Sequence, residues 1–176
     1  MRIPFPNSLS IGTDIIRLSR LSKPQIFHKL AQRILQPAEQ QVFHNKFPQA
    51  SVDAGTPWSK QAELKCREWL GGRWAAKEAA KKAWGAALLS FRDLRIETEP
   101  DGNIVVVCAL LPRGGCSHDF DEQVAKVSIS HDGDYAVATV LAFPLSDGIV
   151  GELRRRKAEA EQRVTLQRPG NDADTT

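Results

Sequence analysis

The sequence predicts an α+β domain, and three observations lead there. A lone apolar strand pattern, "LSIGTDIIRL", comes first; helical periodicity then fills the middle of the chain; two Asp-Gly turns between alternating apolar runs follow. Helices and hairpins are segregated instead of alternating as βα units, so the sheet is expected to be antiparallel, built of hairpins and packed against the helices. With 176 residues, 41% of them hydrophobic, the chain can bury one ordinary core.

The opening strand reads as buried and runs into a turn. "KPQIFHKLAQRIL" sets Ile26, Leu30 and Ile34 at i, i+4 and i+8 behind Pro24, which predicts an amphipathic helix. Pro37 restarts a second helix in "QPAEQQVFHNKF", and residues 48–57, rich in Ser, Asp, Gly and Pro, read as a loop. The main helix is expected from about Ser59 to Leu88, with the adjacent Gly71 and Gly72 as a place for a kink. Ala76, Ala79 or Ala80, Ala83 and Ala87 form a small-residue stripe along it, suited to close approach by another element. "DLRIETEPDGNIVVVCALL" and "VAKVSISHDGDYAVATVLAF" are hairpins turned at Asp101-Gly102 and Asp132-Gly133, and Val127, Ile129 and His131 share a face. "PRGGCSHDFDEQ" is a loop between them. A charged, helix-prone tail runs from Asp147 to about Arg163, and "PGNDADTT" is expected to be disordered. The domain is drawn over residues 8–145 and the tail over 146–176.

The net charge of +3 is mild, but positive charge is concentrated over residues 60–82 and at Arg154, Arg155, Arg156 and Lys157. Such patches suit phosphates or an acidic protein. No recognised nucleic-acid motif accompanies them, so nucleic acid is not an expected partner. Cys66, Cys108 and Cys116 lack metal-type spacing and read as free thiols in a reducing compartment. No apolar run approaches the ~20 residues of a membrane span, so no membrane is expected as a partner. "MRIPFPNSLS" has no secretory core; its one Arg and lack of acids are compatible with a short organellar signal.

Four residues stand out for chemistry. Glu78 and Lys82 are spaced i, i+4 on one helix face, either a solvated ion pair or a carboxylate for a divalent cation beside an ammonium for phosphate. The second reading needs another acid, and Asp14 is the candidate: inside an apolar strand it must be paired, be coordinated, or cap a following turn. His131 is polar on an otherwise apolar strand face, beside a tight turn, and is either an edge histidine or a catalytic one. No phosphate loop of the GK[ST] kind and no Gly-x-Ser-x-Gly elbow is present.

Taken together, "IGTDIIRLSRL", "QRILQPAEQQVF", "GGRWAAKEAAKKAWG" and "VSISHDGDYAVA" resemble, in order and spacing, the holo-acyl-carrier-protein synthases, the compact class of 4′-phosphopantetheinyl transferases. The resemblance spans about Leu9 to Ala142. It implies that family's fold, and transfer of the phosphopantetheine arm of coenzyme A to a serine of an apo acyl carrier protein with release of 3′,5′-ADP. By position it implies that Asp14 and Glu78 hold Mg²⁺ and that Lys82 contacts coenzyme A phosphate. His131 and Ser130, on the SISH strand, would lie near the pyrophosphate. Lys77 and Arg73 would face the coenzyme, and Arg20 and Arg73 the acidic carrier. Glu78, Lys82 and His131 make the catalytic set; the serine proton is left open between Glu78 and His131. A homotrimer is implied, with His131 of one subunit completing the site of the next.

The sequence departs from the family in places. "GAALLSF" replaces a glycine-rich stretch near the adenine, and "DGNI" replaces a "DGKP" turn. Added length at 48–60, at 112–122 and after Pro144 suggests a eukaryotic, fungal-type member serving a mitochondrial carrier, with a cytoplasmic partner as the alternative. The rival class is a non-enzymatic module that binds an acidic carrier protein through the same basic face.

Overall fold

The structure is a computed structural model, and it describes residues 8–21, 23–50, 57–85, 88–110 and 122–166. Strand β1 is Ser10–Arg17, followed by helices α1 (Phe27–Ile34), α2 (Pro37–Lys46) and α3 (Lys60–Ala83). Hairpin β2 (Leu94–Thr98)/β3 (Ile104–Cys108) and hairpin β4 (Gln123–Asp132)/β5 (Tyr135–Ala142) come next, then α4 (Asp147–Leu166). All strand pairs are antiparallel, in the order β1-β5-β4-β3-β2. Both turns hold the expected glycine at positive φ, Gly102 at 85° and Gly133 at 52°, where a side chain would be strained.

Helix α3 lies across one face of the sheet and organises everything else. Ser59 caps its start, its hydroxyl accepting from Ala62 N at 3.1 Å. The alanine stripe is buried at Ala75, Ala76, Ala79, Ala80 and Ala83, against inward residues Ile16, Ala136, Ala138 and Val140 of β1 and β5. Small residues on both sides bring backbone close to backbone. A Cβ on Gly12 would lie 2.0 Å from the Ala79 carbonyl oxygen and 2.6 Å from Ala83 N, so β1 seats directly on α3 only because residue 12 has no side chain.

Several expectations change. β1 is an edge strand rather than a buried one: Ile11 and Ile15 are 69% and 61% exposed, because only its inner face meets α3. On α1 the buried residues are Phe27, Ala31 and Ile34, with Ile26 and Leu30 at the rim, since a 3-10 turn at Pro24–Ile26 precedes the helix proper. α3 is one unbroken helix; Gly71 and Gly72 are buried where Leu18 and His131 press against it, so they serve contact rather than a kink. It ends at Ala83, not Leu88, with Gly85 at φ 74° beyond it. Ala87, Cys116, the segments 51–56 and 111–121 where loops are expected, and the terminal "PGNDADTT" lie outside the described residues.

The packed unit also runs past the boundary drawn at residue 145. Ile149 and Leu153 of α4 belong to the core, and Arg156 is buried between Asp93 and Glu152. From Lys157 to Val164 the helix is exposed.

Candidate active site

Asp14 lies on the inner face of β1, two residues beyond the point where Gly12 touches α3. That register delivers it to Lys82: the ammonium donates to Asp14 Oδ1 and to the Thr13 carbonyl, both at 2.8 Å. Glu78 is one helical turn before Lys82 on the same side of α3. Its Oε1 accepts from Lys81 Nζ at 3.1 Å. Two carboxylate–ammonium pairs, Asp14–Lys82 and Glu78–Lys81, therefore lie along the last turns of α3, the first of them where β1 crosses it. A cleft of about 560 Å³ opens beside Lys82, lined by Ser10, Ile11, Trp84, Leu145 and Val150 among others.

His131 stands elsewhere. Its Nε2–H donates to the Glu68 carbonyl at 3.1 Å, and its ring lies on α3 at Gly72, where an added Cβ would come within 3.2 Å of Nε2. Glu78 and Lys82 are six and ten residues beyond Gly72 on the helix, about 9 and 15 Å at 1.5 Å per residue. Within one chain His131 therefore does not join Asp14 and Glu78. Ser130, its neighbour on β4, is exposed and by strand alternation points to the opposite face of the sheet.

Of the basic residues, Arg20 is exposed in the turn after β1. Arg73 stacks on Trp69 with Cζ 3.4 Å from the ring centroid, and burial pushes its guanidinium down to about 10 against the upward pull of Glu39. Lys77 must be withdrawn from the coenzyme-facing set. Its side chain is fully buried, and Nζ donates to the Ile34 carbonyl at 2.7 Å and to Glu39 Oε2 at 2.5 Å. Desolvation lowers its pKa to about 8, opposed by Glu39. Glu39 in turn accepts from Ile96 N and Gln36 N, so this pair joins α2, α3 and β2 inside the core.

Sequence reasoning passed over Lys81, although its i+3 spacing from Glu78 was visible. It also passed over Asp93, Glu152 and Arg156, whose pairing depends on the tertiary fold. Among the described residues no cluster of three or more His, Cys, Asp or Glu side chains is arranged to hold a metal, so a cation here would rest on two carboxylates. Cys66 and Cys108 are buried free thiols, both pushed up to about 12 chiefly by desolvation.

The family model described as ACPS, 4′-phosphopantetheinyl transferase superfamily, matches residues 10–140, from the start of β1 to late in β5. The chain belongs to this superfamily. The expected transferase fold is thus the observed one, and α4 lies beyond the matched part. Across 149 residues the chain is 42% identical to "4′-phosphopantetheinyl transferase B, mitochondrial" of Aspergillus fumigatus, covering 80% of this chain and 97% of the relative. A holo-[acyl-carrier-protein] synthase of a Geobacillus species is 33% identical, over 78% of this chain and 98% of its own. Among solved structures, a holo-(acyl-carrier-protein) synthase from Bacillus anthracis in complex with CoA (3′,5′-ADP) matches with a TM-score of 0.52 and 28% identity, covering 77% of this chain and 96% of that one. No described helix is long and apolar enough to cross a membrane.

Proposed function

We propose that this transferase moves the 4′-phosphopantetheine group of coenzyme A onto a serine of an apo acyl carrier protein, releasing 3′,5′-ADP in a Mg²⁺-dependent reaction. The observation that carries the reading is the Asp14–Lys82 pair, set beside Glu78 where β1 crosses α3. The named relatives, synthases and transferases of this type, support the chemistry, and the coenzyme A bound to the Bacillus anthracis protein supports the substrate.

Asp14 and Glu78 fit a magnesium ion by the chemistry of their donors. They are hard carboxylate oxygens, and each is met here by an ammonium, so the site calls for positive charge. When bound, the ion would neutralise charge on the diphosphate. Lys82, already bridging strand and helix, is placed to meet a phosphate oxygen of the coenzyme. Cleavage of a diphosphate spreads negative charge over several oxygens, so positioned cations supply most of the acceleration. Arg73, stiffened by Trp69, and exposed Arg20 offer charge to the coenzyme or to an acidic carrier.

The ~15 Å between His131 and Lys82 along α3 supports a homotrimer in which His131, with Ser130, serves the site of a neighbouring subunit. Glu78 or that His131 would take the serine proton. The exposed apolar residues Ile11, Ile15, Leu141 and Phe143 support the same assembly. The name of the Aspergillus fumigatus relative supports a mitochondrial location.

Mass spectrometry of an apo acyl carrier protein incubated with this protein, coenzyme A and Mg²⁺ tests the reading. Addition of one phosphopantetheine mass is expected; an unmodified carrier in the presence of folded protein would end it.

A further inference from the structure

Helix α4 lies outside the family-matched stretch, yet it is tied to the packing behind Glu78. Arg156 donates from Nη1 to Asp93 Oδ1 at 3.2 Å and from Nε to Glu152 Oε1 at 2.7 Å, and all three side chains are buried. Asp93 Oδ2 accepts from the Ser90 backbone N at 2.8 Å and from its hydroxyl at 2.6 Å, which fixes the 3-10 turn Phe91–Asp93. That turn presents Phe91 to α3. The Phe91 ring packs on Trp74 at 4.9 Å between centroids and lies under the Lys81 ammonium at 4.8 Å, while its carbonyl accepts from Lys77 Nζ at 3.3 Å.

Trp74, Lys77 and Lys81 stand at i, i+3 and i+7, one ridge of α3, and Glu78 flanks that ridge. Lys81 then bonds Glu78. A lysine on its own wanders among many rotamers; a ring beneath its head, on a turn anchored from behind, narrows them. Groups that orient a metal-binding carboxylate change cation affinity about 10–100-fold when removed.

We propose that Arg156 is a positioning residue: through Asp93 and Phe91 it holds Lys81 against Glu78, and so sets the affinity of the Asp14–Glu78 pair for a divalent cation. The inference rests on the cation reading of that pair. Arg156 touches neither acid, and the device belongs to a helix that the shared family segment does not include.

The test is Mn²⁺ binding to the full-length protein with coenzyme A present, followed by loss of the free-ion paramagnetic resonance signal. It compares wild type, Arg156→Met, Arg156→Lys, Phe91→Leu and the Arg156→Met/Phe91→Leu double variant, with circular dichroism establishing that each is folded. Each of Arg156→Met and Phe91→Leu is expected to lower the Mn²⁺ dissociation constant about tenfold, because a Lys81 no longer pinned to Glu78 stops competing with the cation for that carboxylate. The double variant should go little beyond the larger single effect, since both act along one path. Arg156→Lys, which keeps a charge opposite Asp93, should return the affinity most of the way to wild type. Wild-type affinity in the folded variants would overturn the inference alone. If Arg156→Met does not fold, unchanged affinity in Phe91→Leu does so by itself. Absence of Mn²⁺ binding in the wild type would overturn it together with the cation reading.

Discussion

Glu78 is where a change of one atom separates two accounts of the same helix. Glu78→Gln keeps volume and helix propensity, and loss of an i, i+3 bond to Lys81 costs only about 0.3–0.5 kcal/mol. If the carboxylate holds a cation, the rate of transfer should fall on the order of 10²-fold or more while the melting midpoint hardly moves. Asp14→Asn should behave alike, and the double variant should be far less than multiplicatively worse, because both acids serve one ion. Rates measured against Mg²⁺ concentration for the four proteins check this; near-wild-type rates with unchanged magnesium dependence would remove both residues from the metal site. Lys77 gives the opposite pattern. Lys77→Met strands a buried Glu39 and should cost about 3–5 kcal/mol in urea unfolding. The sequence shows three similar lysines in one motif, and spacing does not say which is buried. Lys77 and Lys82 are five residues apart, about 140° around a helix of 3.6 residues per turn. Only the packing of α1 and α2 decides that Lys77 points inward. That Asp14 needs a partner was legible, because an acid in an apolar strand must be paired or coordinated. Which partner was not, since spacing gives Lys82 to Glu78, whereas Lys82 pairs with Asp14 and Glu78 with Lys81.

At the scale of elements, α4 was the least legible. Its sequence offers only Ile149, Val150 and Leu153 as apolar residues near its start, and Arg156 reads as one member of a basic run. The burial of Ile149 and Leu153 carries the core past the domain boundary drawn at residue 145. A chain ending at Asp147 loses two core side chains, at about 1.5–3 kcal/mol each, and leaves Asp93 without Arg156. It should unfold at markedly lower urea concentration and lose activity with the fold. A chain ending at Lys157 sheds exposed residues and should melt within a few degrees of wild type; a large drop there would show that the distal turns are packed. Acid tests the same helix. Glu152 is held down to about 2, first by its bond to Arg155 and with help from Arg156. A depressed carboxylate contributes stability above its unfolded pKa, about 4.3, and that contribution is lost as pH falls toward the folded value. Melting midpoints between pH 4.5 and 2 should therefore fall less steeply in Glu152→Gln than in wild type. Equal slopes would deny the latch its ionic character. The hairpins, by contrast, were readable from two Asp-Gly turns and their alternating flanks.

At the scale of the molecule, what the sequence withheld was the partner of β1, which pairs with β5 near the far end of the shared fold. No local pattern encodes that pairing, and it is what brings Asp14 over α3. The outer face of the same strands carries Ile11, Ile15, Tyr135 and Leu141 in the open. Light scattering of a fully active sample should give the mass of a trimer, and Ile15→Lys should give an inactive monomer with wild-type circular dichroism. A fully active monomer at micromolar concentration would sink the shared-site arrangement. Trp84 ends α3 with its indole N–H donating to the Phe143 carbonyl at 2.9 Å, and it lines the cleft that opens beside Lys82. The protein thereby carries its own optical probe, an indole lining that cleft. If coenzyme A binds there, the solvent around the ring changes and unlabelled protein should report binding through native fluorescence; emission unchanged by the coenzyme would put its site elsewhere. A Trp84→Phe variant supplies the blank that subtracts Trp58, Trp69 and Trp74.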